Sequence, residues 1–236
     1  MKQLFTFALI LLLCSCSSTL SVHDISSQAL GDHLTAKKTV TLSSSEGQEY
    51  WKNIDQKKFF QLKKYWEAQR PSYCGVCSAV IVTNTLKEGK ILNQDNFFTG
   101  EVRSVIGPET VSKMGMTLRE LQTTVSSLNA QFKVEKYYSH ISGLDLFVQQ
   151  LKSYKSSKDF SIVNFSRKSI AGEGMYSGHF SIVAGYEEKS RMVLILEVNG
   201  EKESFWIKDK DLFTAMLAID PVSKIPRGWL VLEAGK

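Results

Sequence analysis

Cysteine and histidine are scarce in this chain, four of each among 236 residues. Cys14 and Cys16 sit at the very start, which leaves only Cys74 and Cys77 for a folded body. A pair so close in sequence closes a small loop and restricts the unfolded chain little. Disulfides are therefore not what a fold of this length rests on. A long apolar run is also missing: Leu4 to Leu13 falls well short of the roughly 20 residues of a membrane-spanning helix. There is no lysine–arginine block and no ladder of basic and aromatic residues. The formal charge of +5 is spread widely, which excludes the electrostatic footprint of a nucleic-acid binder. No internal repeat is present, so a solenoid is excluded as well. What is present is a 43% hydrophobic composition, enough over this length for one sizeable core.

The first residues read as an address rather than as fold. Met1-Lys2-Gln3 is a short basic start, the apolar segment follows, and Cys14-Ser15-Cys16-Ser17-Ser18 closes it. This order is that of an export signal. The small residues before Cys16, with Leu13 upstream, resemble a bacterial lipoprotein box. By that resemblance residues 1–15 are removed, Cys16 becomes a lipidated N-terminus, and Ser17 gives an outer-membrane address facing the periplasm. Cys14 is the alternative acceptor, and a plain cleaved signal is the other reading. Residues 16–45 are rich in serine and threonine and read as a polar tether ending in a strand near Lys38 to Leu42. Residues 46–236 read as a single catalytic domain.

Within that domain helices come early and strands late. Gln48 to Gln69 is expected to be helical in part. Cys74 to Leu86 repeats apolar residues at helical spacing, yet Val80, Ile81, Val82 and Thr83 are weak helix formers, so burial must hold this helix. Asn96 to Glu109 reads as loop and short helix, ending at Gly107-Pro108. Thr117 and Glu120 form a capping box for a helix running to Leu128. Phe132 to Tyr137 alternates like a strand, and Leu144 to Tyr154 returns to a helix. Phe160 to Phe165, His179 to Tyr186, Val193 to Val198 and Phe205 to Ile207 read as strands. Asp211 to Ala218 is a helix and Trp229 to Glu233 a closing strand. This is an α+β pattern.

One constellation carries chemistry. A nucleophilic cysteine must be partly thiolate, and a helix N-terminus stabilises that anion. Cys74 follows the loop Gln69-Arg70-Pro71-Ser72 and opens the apolar helix, so it is placed for this. An imidazole must take its proton and return it to a leaving amine. His23 and His33 lie in the tether and His140 at a strand end; His179 follows the glycine-rich run Gly172 to Gly178 and opens an apolar strand. Glu197 is a carboxylate in an otherwise buried run, where it needs a partner. On a continuous strand Asn199 would face the same side, so either residue is a candidate to orient the imidazole. Taken singly, each has a plainer explanation: a core cysteine, a satisfied histidine, an edge carboxylate. Cys74-Gly75-Val76-Cys77 also has thioredoxin-like spacing, although no βα unit precedes it. In an exported protein the pair can form a local disulfide that would silence Cys74 until a thiol reduces it.

The ordered motifs decide between these readings. Pro71-Ser72-Tyr73-Cys74-Gly75, Asn84-Thr85-Leu86, Gln94-Asp95-Asn96-Phe97-Phe98, Met114-Gly115-Met116-Thr117-Leu118, Val163-Asn164-Phe165, Arg167-Lys168 and Gly178-His179-Phe180-Ser181 stand in sequence. Leu194 to Val198, Trp206, Met216, Asp220 and Arg227-Gly228-Trp229 follow. From Tyr65 to Glu233 the chain resembles the phytochelatin synthase family, in particular its short bacterial members. The resemblance implies a papain-like cysteine proteinase fold, α+β, with a helical half packed against an antiparallel sheet half. It implies Cys74 as nucleophile, His179 as general base, and Gln69 as the oxyanion-hole amide, although the family's glutamine stands one residue further upstream. Where the family has aspartate this chain has Glu197, and the stretch after it lacks the family's arginine and paired prolines. The implied reaction cleaves glutathione through a thioester, releasing glycine. The acyl group then passes to water, giving γ-glutamylcysteine, or to a second glutathione. No tightly bound cofactor is expected. A heavy metal, cadmium or zinc, would act as an activator or enter as a metal–glutathione thiolate. The alternatives are a papain-like peptidase on other peptides and a non-catalytic lipoprotein that binds a thiol ligand.

Overall fold

The computed structural model describes residues 39–128, 132–154, 158–171 and 178–234. The expected signal, both early cysteines, residues 16–38 of the expected tether and most of the glycine-rich run before His179 lie outside these residues. The strand expected at the end of the tether is present as β1 (Thr39–Thr41). Two helices follow, α1 (Ser45–Lys52) and α2 (Lys57–Lys63), and then the long α3 (Cys74–Leu86). Residues Gly75 to Thr85 of α3 are all buried, which is how a run of β-branched residues stays helical.

Next come α4 (Gly100–Val105) and α5 (Pro108–Met114). The second of these corrects the sequence reading, which took Gly107-Pro108 as an end. Proline is welcome at the first helical position, where its missing N–H has no partner to lose. The α6 helix (Leu118–Leu128) carries the expected capping box: Thr117 N donates to Glu120 Oε2 at 2.7 Å, and Glu120 N donates back to Thr117 Oγ1 at 3.2 Å. Then come β2 (Phe132–Tyr138), α7 (Ser139–Ser153, kinked at Gly143), β3 (Phe160–Ser166), α8 (Arg167–Ala171) and β4 (Gly178–Glu187). The described chain closes with β5 (Met192–Leu196), β6 (Phe205–Lys208), α9 (Asp209–Met216) and β7 (Gly228–Ala234).

The strands form one antiparallel sheet of seven, in the order β1-β6-β5-β4-β3-β7-β2. A helical layer containing α3 packs on one face, giving the expected α+β architecture. The opposite face is covered too. Phe160, Ile162, Phe180, Ile182, Leu194 and Leu196 pack with α3. Their neighbours Val163, Phe165, Val183, Val193 and Ile195 pack with Phe147 of α7 and Leu212 and Phe213 of α9. Burial on both faces is why these strands read as near-continuous apolar runs rather than alternating ones.

Candidate active site

Cys74 stands at the first position of α3, whose N-cap residue Tyr73 makes no side-chain capping bond. The first intrahelical bond there is Cys77 N to Tyr73 O, at 2.8 Å. The amides at the start of the helix are thus left for an anion. Ser72, two residues earlier, sits in the left-handed region at φ 65° and turns the chain into the helix. Gly75 allows a close approach: a Cβ there would lie 3.2 Å from the Phe180 ring. The helix start therefore lies against β4, which brings Cys74 beside His179.

The loop before the nucleophile is clamped by the Gln94-Asp95 motif. Arg70 makes a two-pronged ion pair with Asp95, at 2.7 and 2.8 Å. The Gln94 amide accepts from Arg70 N and donates to Ala68 O, both at 2.9 Å. On its other side the loop is tied to the segment after β5. Trp66 Nε1 donates to Glu197 O at 2.9 Å and Gln69 N donates to Val198 O at 2.8 Å.

His179 is almost fully buried and its Nε2 lies 2.7 Å from Glu197 Oε1. Cys74 and His179 face each other across the floor of the site and interact electrostatically. With Nε2 committed to Glu197, Nδ1 is the nitrogen left for the thiol. Burial pushes the Cys74 thiol up, but the interaction with His179 outweighs it and brings the thiol below its ordinary value. Burial disfavours the imidazolium, yet the interactions with Cys74 and Glu197 raise His179 above its ordinary value. Glu197 is held below the usual carboxylate range: burial opposes this, and His179 and Arg167 overcome it. These opposite shifts favour a thiolate beside an imidazolium, the state that attacks an acyl carbon and then protonates a leaving amine.

Glu197 does not lie on a strand. The ladder of β5 ends at Leu196, which removes the argument that Glu197 and Asn199 share a face. The Asn199 side chain turns away and accepts from Glu201 N at 3.0 Å. Its contribution is its backbone N–H, which donates to Glu197 Oε1 at 2.8 Å. The carboxylate in contact with His179 is thus that of Glu197.

Cys77 is buried at 0% exposure, and its S–H donates to Glu67 O at 3.2 Å. Burial pushes its thiol far above the ordinary value. Both cysteines are free in this structure, and Cys77 occupies the core as a small apolar side chain.

A cavity of about 570 Å³ opens over Cys74 and His179. Gln69 lines it, with Oε1 buried and without a protein partner, as does Asn164, whose Oδ1 is in the same condition. Asp220, Arg227, Arg167 and Lys113 supply charge to the wall. Arg227 is 4% exposed, and its Nη1 donates to Ala218 O and Ile219 O. Its Nη2 would meet a Cβ at Gly178 at 3.0 Å, so only glycine leaves it this place beside His179. The sequence reading marked Asn164, Arg167, Asp220 and Arg227 only as parts of motifs; nothing in their spacing places them around one cavity. Among the described residues no group of three or more histidine, cysteine, aspartate or glutamate side chains could hold a metal ion. No described helix is long and apolar enough to cross a membrane.

Comparison with known proteins places the chain in a family. The family model for phytochelatin synthase matches residues 31–229. Glutathione gamma-glutamylcysteinyltransferase 3 of Lotus japonicus is 29% identical over 182 residues, covering 74% of this chain and 37% of that protein. The glutathione gamma-glutamylcysteinyltransferase of Schizosaccharomyces pombe is 28% identical over 185 residues, covering 74% of this chain and 43% of that protein. Glutathione gamma-glutamylcysteinyltransferase 1 of Arabidopsis thaliana is 27% identical over 210 residues, covering 85% and 43%. The chain spans well under half the length of each of these relatives. Its own match to the family model covers most of its residues and includes Cys74, His179 and Glu197: the chain belongs to the phytochelatin synthase family.

Proposed function

We propose that this protein is a cysteine acyltransferase or hydrolase acting on glutathione. The observation that carries the reading is the buried His179–Glu197 pair next to Cys74 at an uncapped helix start. Cys74 thiolate attacks the carbonyl carbon of the cysteinyl–glycine amide. The oxyanion is met by the Cys74 backbone N–H and the Gln69 side-chain amide. His179 passes its proton to the glycine nitrogen, the C–N bond breaks, and glycine leaves. The γ-glutamylcysteinyl thioester then goes to water, which returns the free thiol, or to the amine of a second glutathione.

The cavity suits such a substrate in size, within the roughly 300–1,000 Å³ of small-molecule sites. Glutathione carries two carboxylates and one ammonium. The wall offers Arg167, Arg227 and Lys113 against Asp220, a surplus of positive charge opposite in sign to the net charge of glutathione. A heavy metal enters this scheme as a glutathione thiolate, that is, as substrate.

The test is incubation of the reduced protein with glutathione, followed by mass spectrometry. Glycine release and a γ-glutamylcysteinyl adduct on the peptide containing Cys74 are the expected results. Cleavage of α-linked peptides with glutathione left intact would favour the peptidase reading instead. The lipid anchor at Cys16 and the outer-membrane address remain part of the proposal. A diacylglycerol-bearing N-terminal peptide starting at Cys16 is expected, and an unmodified one would remove the anchor.

A further inference from the structure

Arg167 opens α8 at the end of β3 and reaches back into the site. Its side chain is 18% exposed. Nη2 lies 2.8 Å from His179 Nε2 and 3.1 Å from Glu197 Oε1. An imidazole nitrogen offers one in-plane direction, and a guanidinium only donates. When Nε2 carries a proton and gives it to Glu197, Arg167 cannot also bond to Nε2. Its N–H then serves Glu197 Oε1, which takes bonds from His179, Arg167 and Asn199 N. A cation held this close to the histidine costs free energy unless it returns something to the site.

We infer that Arg167 is a positioning residue, holding Glu197 in line with His179 and lending a fixed positive charge to the Cys74 thiolate. The inference rests on Cys74, His179 and Glu197 being the working constellation proposed above. Two observations beyond the distances support it. Arg167 acts on both Cys74 and Glu197 to favour their charged forms. Its place on the cavity wall also keeps the charge on the side of the thiol rather than in bulk water. The other charged groups facing the pair are Glu197, Lys113 from α5, and Asp220 and Arg227 from the loop before β7 and its edge. Cys77, on the same helix as Cys74, carries a thiol raised far above the ordinary value and adds no charge near neutral pH. Asp220 and Arg227 lie close enough to offset each other in part, while Arg167 shares the single Glu197 carboxylate with His179.

The experiment reads Cys74 directly, without glutathione. The rate of alkylation by iodoacetamide is followed against pH in the full chain, with the label at Cys74 quantified by peptide fragmentation. For Arg167→Gln the midpoint of the thiolate limb is expected to move up by about one pH unit, which makes labelling about tenfold slower below the limb. Arg167→Met keeps the stem and loses the charge; it takes the place of the glutamine variant if that fails to fold, with the same shift expected. Arg167→Lys is expected to restore most of the wild-type midpoint. An unmoved midpoint in the neutral variants, uniform slowing at all pH values, or no rescue by lysine would each overturn the inference. Because no glutathione is present, these results stand whether or not the glutathione reading holds.

Discussion

Replacing Cys74 with alanine is expected to lower glycine release from glutathione by at least about a thousandfold and to remove the acyl adduct altogether. The size follows from what is lost. No other described thiol can take over: Cys77 is wholly buried and bonded to a main-chain carbonyl. Without a nucleophile the cavity, the Gln69 amide and the helix amides can still bind substrate, so binding by the variant should persist while chemistry stops. The variant should also fold. Cys74 is only half-buried at the cavity floor, and removing its sulfur leaves space already open to solvent. Steady-state release of glycine, with binding followed by calorimetry, checks both halves. A variant that releases glycine as fast as the wild type would place the chemistry elsewhere.

Glu197→Gln is expected to reduce kcat by about a hundredfold to ten-thousandfold, the range set by neutralising the orienting carboxylate of a triad. The substitution is clean here. All the side-chain bonds of Glu197 go to Oε1, and a glutamine oxygen in the same place keeps them. Only the charge is removed. Glu197 raises the His179 imidazole, so the variant's imidazolium gives up its proton at lower pH. The imidazolium is the acid that protonates the departing glycine, and activity is lost as pH rises through its titration. The alkaline limb of the rate profile should therefore move to lower pH. A variant with full rate and an unmoved limb would remove Glu197 from the mechanism.

Much of this was legible in the residues, for reasons that differ from place to place. The Thr117–Glu120 box announced its helix because both partners are local. The burial of α3 followed from a conflict between helical spacing and β-branched residues. Pro108 misled, since proline ends one helix as readily as it begins another. The end of β5 was hidden for a different reason: Val198 is buried at 0% exposure although it pairs in no ladder, so the apolar run outlasts the strand. Arg167 carried no signal of its role. In sequence it is one cation beside Lys168, and only the antiparallel pairing of Phe165 with His179 brings the end of β3 to the start of β4.

The short first strand has a consequence for how the protein is handled. β1 is three residues long and, among the described residues, it is the strand that covers the outer edge of β6, with Leu42 N to Ser204 O and Ser43 N to Glu203 Oε1 extending the seam. A truncated version beginning at residue 46, where the serine-rich segment was expected to end, would strip that cover. It would leave Phe205, Trp206 and Ile207 with open main-chain donors and acceptors on an apolar strand, an invitation to pair with a neighbouring molecule. The boundary of the folded unit is therefore set by the sheet's need for a cap, not by where the large apolar side chains begin.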